Sequence, residues 1–323
     1  MLATAACSQP TAPTPTPRDP PTITCPLSQA LSSPLGSPVS VAYGTATVVG
    51  GKAPITTMCT PPSGSEFPVG STAVTCTAVD ALQRTDSCVF GVTVAGPPRI
   101  SLTRFVAFGD SITWGEDGNA ASSSTVRLSP YVRLVGSDYP YVLQEQYLKA
   151  RYTLQASLLT VENRGLPGEP AGDPATLSRF TRDVLNGRYQ ALLLLEGAND
   201  LYSEWFNGPS VEQPAINNLR TMIGSAKQAG IRPYLATLTP VNDAGWRGRY
   251  VAPFILGFND RLRTLAASEG VTLVDLYQGF GGDLTLLSSD GFHPNAGGFQ
   301  RMAQLFFDAL KATLEGPAKG GPR

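Results

Sequence analysis

Histidine is nearly missing from this chain: His293 is the single imidazole among 323 residues. If any nucleophile here is activated by an imidazole, that residue must supply it. Cysteine is missing beyond Cys88, which leaves the larger part of the chain without disulfides or thiol ligands. Long apolar runs are missing too. The densest, at 191–195, is strand-sized, far short of the roughly 18 residues of a membrane helix. Nor is there a charge excess. A formal net charge of -1 gives no electrostatic case for nucleic acid or an anionic membrane as partner.

The length suffices for two domains, and the five cysteines divide it. Cys7, Cys25, Cys59, Cys76 and Cys88 all fall at the N-terminal end, so the two parts were built under different rules. Four cysteines in a small β-rich segment suggest a disulfide framework and an oxidising compartment. Buried free thiols are the alternative; zinc is disfavoured, because the segment has neither His nor Cys-x-x-Cys. Cys7 follows Thr4-Ala5-Ala6 and precedes a Ser/Pro/Thr-rich tract, like the end of a bacterial lipoprotein signal, although the six residues before it cannot hold an apolar signal core. The expected localisation is secreted, periplasmic or cell-surface, with Cys7 as a candidate lipid-anchor site.

Residues 1–21 are expected to be a disordered Pro/Thr-rich tether. Residues 22–95 read as all-β, with Val/Thr-rich runs at 39–43, 45–49, 73–78 and 89–94 separated by Gly/Pro/Ser turns. Within them Ile23-Thr24-Cys25-Pro26, the turn at 61–70, Val74-Thr75-Cys76-Thr77-Ala78 and Ser87-Cys88-Val89-Phe90 resemble the hyalin repeat (HYR), an immunoglobulin-like module. Such modules are associated with adhesion or spacing, so the resemblance implies cell-surface or polysaccharide contact and no catalysis. A first-to-last strand pairing would join Cys25 to Cys88 and leave Cys59 with Cys76, while the other two pairings stay open. Gly96-Pro97-Pro98 marks a boundary within a linker at 96–101.

Beyond it the pattern alternates. Strands are expected at 104–108, 154–162, 191–195, 232–238 and 272–275, and helices at 141–151, 177–185, 215–228, 254–268 and 296–314. This predicts a parallel sheet with helices on both faces over 102–316, followed by a disordered tail at 317–323. In such sheets the chemistry sits at the carboxyl ends of the strands. The run Phe105-Val106-Ala107-Phe108 ends there in Gly109-Asp110-Ser111, delivering a hydroxyl to the sheet edge. Asn163-Arg164-Gly165-Leu166-Pro167-Gly168 follows the second strand, Glu196-Gly197-Ala198-Asn199-Asp200 follows the third, and Asp290 and His293 precede the last helix.

Singly, each has a plain structural explanation as cap, turn or strain relief. As an ordered set they resemble the four sequence blocks of the SGNH, or GDSL-type, serine hydrolases, over about 102–314. The resemblance implies a three-layer, flavodoxin-like α/β fold with a five-stranded parallel sheet, and ester hydrolysis without metal or other cofactor. By position Ser111 matches the nucleophile, His293 the general base and Asp290 the residue that orients it. Ser111, Gly168 and Asn199 match the oxyanion hole, with Gly165 as the alternative glycine. The residue types suit the chemistry independently. A serine hydroxyl needs an imidazole to take its proton, the imidazole a carboxylate, and the developing oxyanion preorganised donors.

Specificity is less legible. Trp114, Tyr202, Trp205, Phe206 and Trp246 fall in expected loops after strand ends and are candidates to line an acyl or sugar site. The polar stretch at 115–139 is an insertion, a lid or a binding loop. The expected activity is hydrolysis of short-chain carboxylic esters, small or polysaccharide-borne, including acetyl groups on carbohydrate. A lipase or lysophospholipase is the enzymatic alternative. The alternative of another class is an adhesive or carbohydrate-binding surface protein with a vestigial hydrolase fold.

Overall fold

The computed structural model describes residues 19–119, 132–208 and 211–316. Cys7, nearly all of the 1–21 tether, the 317–323 tail and the middle of the 115–139 insertion lie outside the described residues. The chain divides into two compact units, the described part of the first ending at Pro97 and the second spanning Pro98–Pro317.

Val and Thr alternate along the strands of the first unit, so one face is buried and the other meets water. Along Gly70–Val79, Val74, Cys76 and Ala78 are buried while Ser71, Ala73 and Thr75 are exposed. That strand pairs antiparallel with Thr56–Thr60 and with Thr85–Ala95, and Gln29–Ser32 adds in parallel to the latter. Thr22–Thr24 pairs with Thr47–Val49, and Val39–Ser40 with Glu66–Phe67, giving an all-β, immunoglobulin-like module. Its core is small, centred on Val41, Phe67, Val74, Phe90, Val92 and Val94. Cys25–Cys88 and Cys59–Cys76 disulfides supplement it, closing sequence separations of 63 and 17 residues. Bridges of this kind typically contribute about 2–4 kcal/mol each.

The second unit is a three-layer α/β domain. The strands of its central sheet are Arg104–Gly109, Thr160–Gly165, Ala191–Leu195, Arg232–Ala236 and Thr272–Val274, all parallel, in the spatial order second, first, third, fourth, fifth. Every residue of Ala191–Leu195 is buried, and all but Arg104 in the first strand, which is why these sequences are continuous apolar runs and not alternating ones. The helices Pro174–Phe180, Glu212–Gln228, Ile255–Glu269 and Ala296–Leu314 clothe the sheet. The last buries Phe299, Met302, Phe306 and Leu310 at spacings of three and four, and Asn295 caps it by accepting from the Gly298 amide. The order reverses beside the first strand, so the chain leaves the first and third strands in opposite directions and opens a crevice at their carboxyl ends.

One strand differs from expectation. Thr153–Leu158 forms a 3-10 stretch, and the second strand is Thr160–Gly165. Leu154 and Leu158, whose apolar character suggested the earlier start, face solvent. The Gln155 side chain instead hydrogen-bonds both the amide and the carbonyl of Ile100, fixing the turn. The strand then runs on through polar Asn163 and Arg164, in register with Ala107 and Phe108.

Candidate active site

The first strand ends at Gly109, and Asp110 starts a single helical turn, Ser111–Trp114, by accepting from the Ile112 amide at 2.9 Å. This places Ser111 at the crevice floor, nearly buried. From the other end of the domain, Asp290 Oδ1 accepts the amides of Phe292 and His293, each at 3.0 Å, folding the loop into a tight turn. The Arg247 and Gly248 amides both donate to the Asp290 carbonyl at 3.0 Å, and the Ser288 amide donates to that of His293 at 2.8 Å.

The turn brings His293 Nδ1 to 2.7 Å from Asp290 Oδ2 and Nε2 to 2.9 Å from Ser111 Oγ. An ionised carboxylate can only accept, so Nδ1 carries the proton and Nε2 is left to accept from the serine hydroxyl. Burial pushes the Asp290 carboxyl up, but the His293 hydrogen bond and charge, with the Phe292 and His293 amides, outweigh it. The carboxyl ends below its usual range and stays charged.

Facing this line across the crevice stand Gly168 and Asn199. Gly168 adopts a positive φ of 79°, which a side chain would strain. Asn199 lies in the first turn of the helix Ala198–Asn207, and its Nδ2 donates to the Glu169 carbonyl at 3.0 Å and, more weakly, to Asp110 Oδ2 at 3.4 Å. Asp200 braces the loop between them by accepting the Ala171 and Gly172 amides at 2.6 and 2.8 Å. Gly165, the alternative glycine, is turned away. Its amide donates to Asn163 Oδ1 at 2.9 Å, and a Cβ there would sit 2.1 Å from the Trp114 nitrogen.

Below Ser111 lie four buried acids, Asp110, Glu169, Glu196 and Asp200, beside one buried cation, Arg179. Arg179 forms a bidentate pair with Glu169 (Nε to Oε1 2.7 Å) and donates to the carbonyls of Arg164 and Gly109 at 2.7 and 3.2 Å. It thereby ties the ends of two strands to the loop that carries Gly168. Burial pushes the Asp110 carboxyl up to about 7, with help from the charges of Asp200, Glu116 and Glu169 and against the Ile112 amide. Burial likewise drives Asp200 to about 6 and Glu196 well above the carboxylate range.

The crevice is a pocket of about 210 Å³ walled by Ser111, Gly168, Asn199 and His293 together with Glu116, Tyr202, Trp246, Arg247 and Phe292. Of the five aromatic candidates, Tyr202 and Trp246 therefore line it, and Trp114, Trp205 and Phe206 do not. Tyr202, Trp205 and Phe206 belong to the helix Ala198–Asn207 and not to a loop, so their directions diverge by its 100° step. Trp205 and Phe206 pack on Tyr250, with ring centroids 5.6 and 5.4 Å away, and remain half exposed. Trp114 carries the Arg133 guanidinium, 5.8 Å from its ring centroid. Glu116, Arg247 and Phe292 are the wall residues that sequence reasoning passed over. Glu116 and Arg247 each sit in a polar loop beside other charges, and only folding brings them together across 131 positions, at 2.8 Å.

A parallel five-stranded sheet with a serine, an imidazole and a carboxylate in hydrogen-bonded line at its carboxyl edge defines a flavodoxin-like hydrolase domain. Residues 107–301 match the GDSL-like lipase/acylhydrolase family and residues 17–94 the HYR domain. The chain belongs to the GDSL-like lipase/acylhydrolase family and carries an N-terminal HYR module. In fold it is similar to the lipase/acylhydrolase from Enterococcus faecalis, at 22% identity and a TM-score of 0.53 over 68% of this chain and 100% of the other. It is also similar to LAE5, an alpha/beta hydrolase enzyme from the metagenome of Lake Arreo, Spain, at 22% identity and a TM-score of 0.52 over 66% and 96%. A multidomain esterase from Ruminococcus flavefaciens is 24% identical over 135 residues, 41% of this chain but only 16% of that protein's length.

Proposed function

We propose that this chain hydrolyses short-chain carboxylic esters through an acyl-Ser111 intermediate. His293 takes the Ser111 proton through Nε2 as Oγ attacks the ester carbonyl, and Asp290 holds the tautomer and stabilises the imidazolium. The Ser111 and Gly168 amides and Asn199 Nδ2 receive the developing oxyanion. The 3.4 Å contact of Asn199 with Asp110 is the weaker of its two, and is the one an oxyanion would replace. A donor of this kind typically accounts for about 10²–10³ in kcat. Breaking the alkoxide from the tetrahedral intermediate returns the proton to it from His293, and water repeats the cycle on the acyl-serine.

The observation that carries the preference for short acyl groups is the pocket. Its volume of about 210 Å³ lies below the roughly 300 Å³ from which ligand sites usually start, and its walls mix charged and amide groups with Tyr202 and Trp246. Such walls suit an acetyl group on a sugar, whose ring faces an aromatic and whose hydroxyls meet polar side chains. The HYR module would serve surface or polysaccharide contact, and its two disulfides fit an oxidising compartment outside the cytosol. Lipid anchoring at Cys7 completes the proposed placement.

The test is an acyl series of p-nitrophenyl esters from acetate through butyrate and octanoate to palmitate. kcat/KM should fall steeply beyond butyrate. A palmitate value at or above that for acetate would favour the lipase or lysophospholipase alternative and overturn the short-chain assignment.

A further inference from the structure

The second half of the reaction needs a water molecule, and the nucleophile, base and orienting acid do nothing by themselves to hold one. Resting on the reading of Ser111 as nucleophile, we propose that Glu116 is a further catalytic residue, one that positions the water hydrolysing acyl-Ser111. Its carboxylate lies in the pocket wall with Oε2 3.6 Å from His293 Nε2. That separation is too long for a direct hydrogen bond, but a water oxygen about 2.8 Å from each atom fits between them. The imidazole nitrogen then accepts one water proton while Glu116 Oε2 accepts the other, which aims the remaining lone pair into the crevice.

The surroundings hold this carboxylate in place. Arg247 Nη1 donates to Oε1 at 2.8 Å, which leaves Oε2 as the oxygen facing His293. Arg247 is itself anchored, its amide on the Asp290 carbonyl at 3.0 Å and its guanidinium 4.7 Å from the Trp246 ring centroid. The Glu116 amide donates to the Ser111 carbonyl at 3.0 Å, so acid and nucleophile move together.

The step balances without any further reactant. The water oxygen forms a bond to the acyl carbon as one proton passes to Nε2 and the other stays on the oxygen, donated to Glu116. The tetrahedral intermediate then breaks its bond to Ser111 Oγ, which takes the proton back from Nε2. The acid departs with the retained proton and loses it to solvent.

Water has two O–H groups, whereas an alcohol acceptor has one. Methanol attacking acyl-Ser111 gives its only proton to His293 and has none for Glu116. Glu116→Gln should therefore slow hydrolysis more than methanolysis, a signature that loss of structure or of imidazolium stabilisation does not produce. On p-nitrophenyl acetate the full-length variant should release about one equivalent of nitrophenol in a burst and then turn over about tenfold to a hundredfold more slowly than wild type. Intact-mass analysis should show the acetyl group on Ser111, and the ratio of methyl acetate to acetate formed in added methanol should rise by a similar factor. Should Glu116→Gln not fold, Glu116→Asp is read in the same way, since it keeps the charge and withdraws the oxygen by one methylene. Unchanged turnover, or slower turnover with no acyl-enzyme and an unchanged methanolysis ratio, would overturn the proposal. Failure of a fluorophosphonate to label Ser111 in the wild type would overturn the nucleophile assignment itself, and this proposal with it.

Discussion

His293→Ala is expected to lower kcat/KM for a short-chain ester by about 10⁴- to 10⁶-fold, the range seen when the base of a serine hydrolase is removed. The effect is this large because nothing can take its place: no other imidazole exists in the chain. The ring is fully buried and packs edge-on against Phe292, centroids 4.8 Å apart, so its loss leaves a cavity beside Ser111 and strips Asp290 of its partner. Such a cavity admits a small base, and exogenous imidazole should restore part of the rate. Steady-state kinetics with a thermal melt to confirm folding is the measurement. Activity within tenfold of wild type in a folded variant would refute the mechanism.

The second large effect is Asp290→Asn, for which a loss of about 10³- to 10⁴-fold in kcat is expected. The asparagine oxygen can still accept the Phe292 and His293 amides that Oδ1 holds at 3.0 Å, so the turn survives. Its amide group now donates toward Nδ1, however, and selects the tautomer whose Nε2 carries a proton. That tautomer presents a donor to Ser111 where an acceptor is needed. The imidazolium also loses a charge held 2.7 Å away. A loss below tenfold, with the melting curve unchanged, would mean that another group orients the ring and that Asp290 serves the turn alone.

How much of this could be read beforehand depended on whether a residue's role is local. Residues 104–108 and 191–195 were legible as strands because burial on both faces demands a continuous apolar run. Ser111, Gly168, Asn199, Asp290 and His293 were legible as a set because each stands at a fixed offset from a strand end or helix start. The stretch at 154–158 misled because its leucines are exposed, and apolar character signals a strand only when it is buried. The helix Ala198–Asn207 went unseen because Gly197 opens it without a side-chain cap and Gly-Ala-Asn-Asp reads as a turn. That misplaced Trp205 and Phe206. Glu116, Arg179 and Arg247 were invisible for another reason. A single charged residue in a loop or helix looks solvated until its partner, from 10 to 131 positions away, is known.

The acids buried beneath Ser111 make folding of the hydrolase domain a proton-uptake reaction. Asp110 held at about 7, Asp200 at about 6 and Glu196 pushed well above its ordinary value all lie above the roughly 4 of an unfolded carboxyl. A raised carboxyl contributes stability that is complete below its unfolded value and lost as pH climbs through the folded one. Acids with lowered values, Asp290 among them, act the opposite way but have exhausted their effect by about pH 5. Between about pH 5 and pH 8 the melting temperature of this domain should therefore decline; a rise across that window would show the cluster ionised in the fold. The domain is thus most durable on the acid side of neutrality, where the floor of its crevice keeps protons that the unfolded chain would already have released.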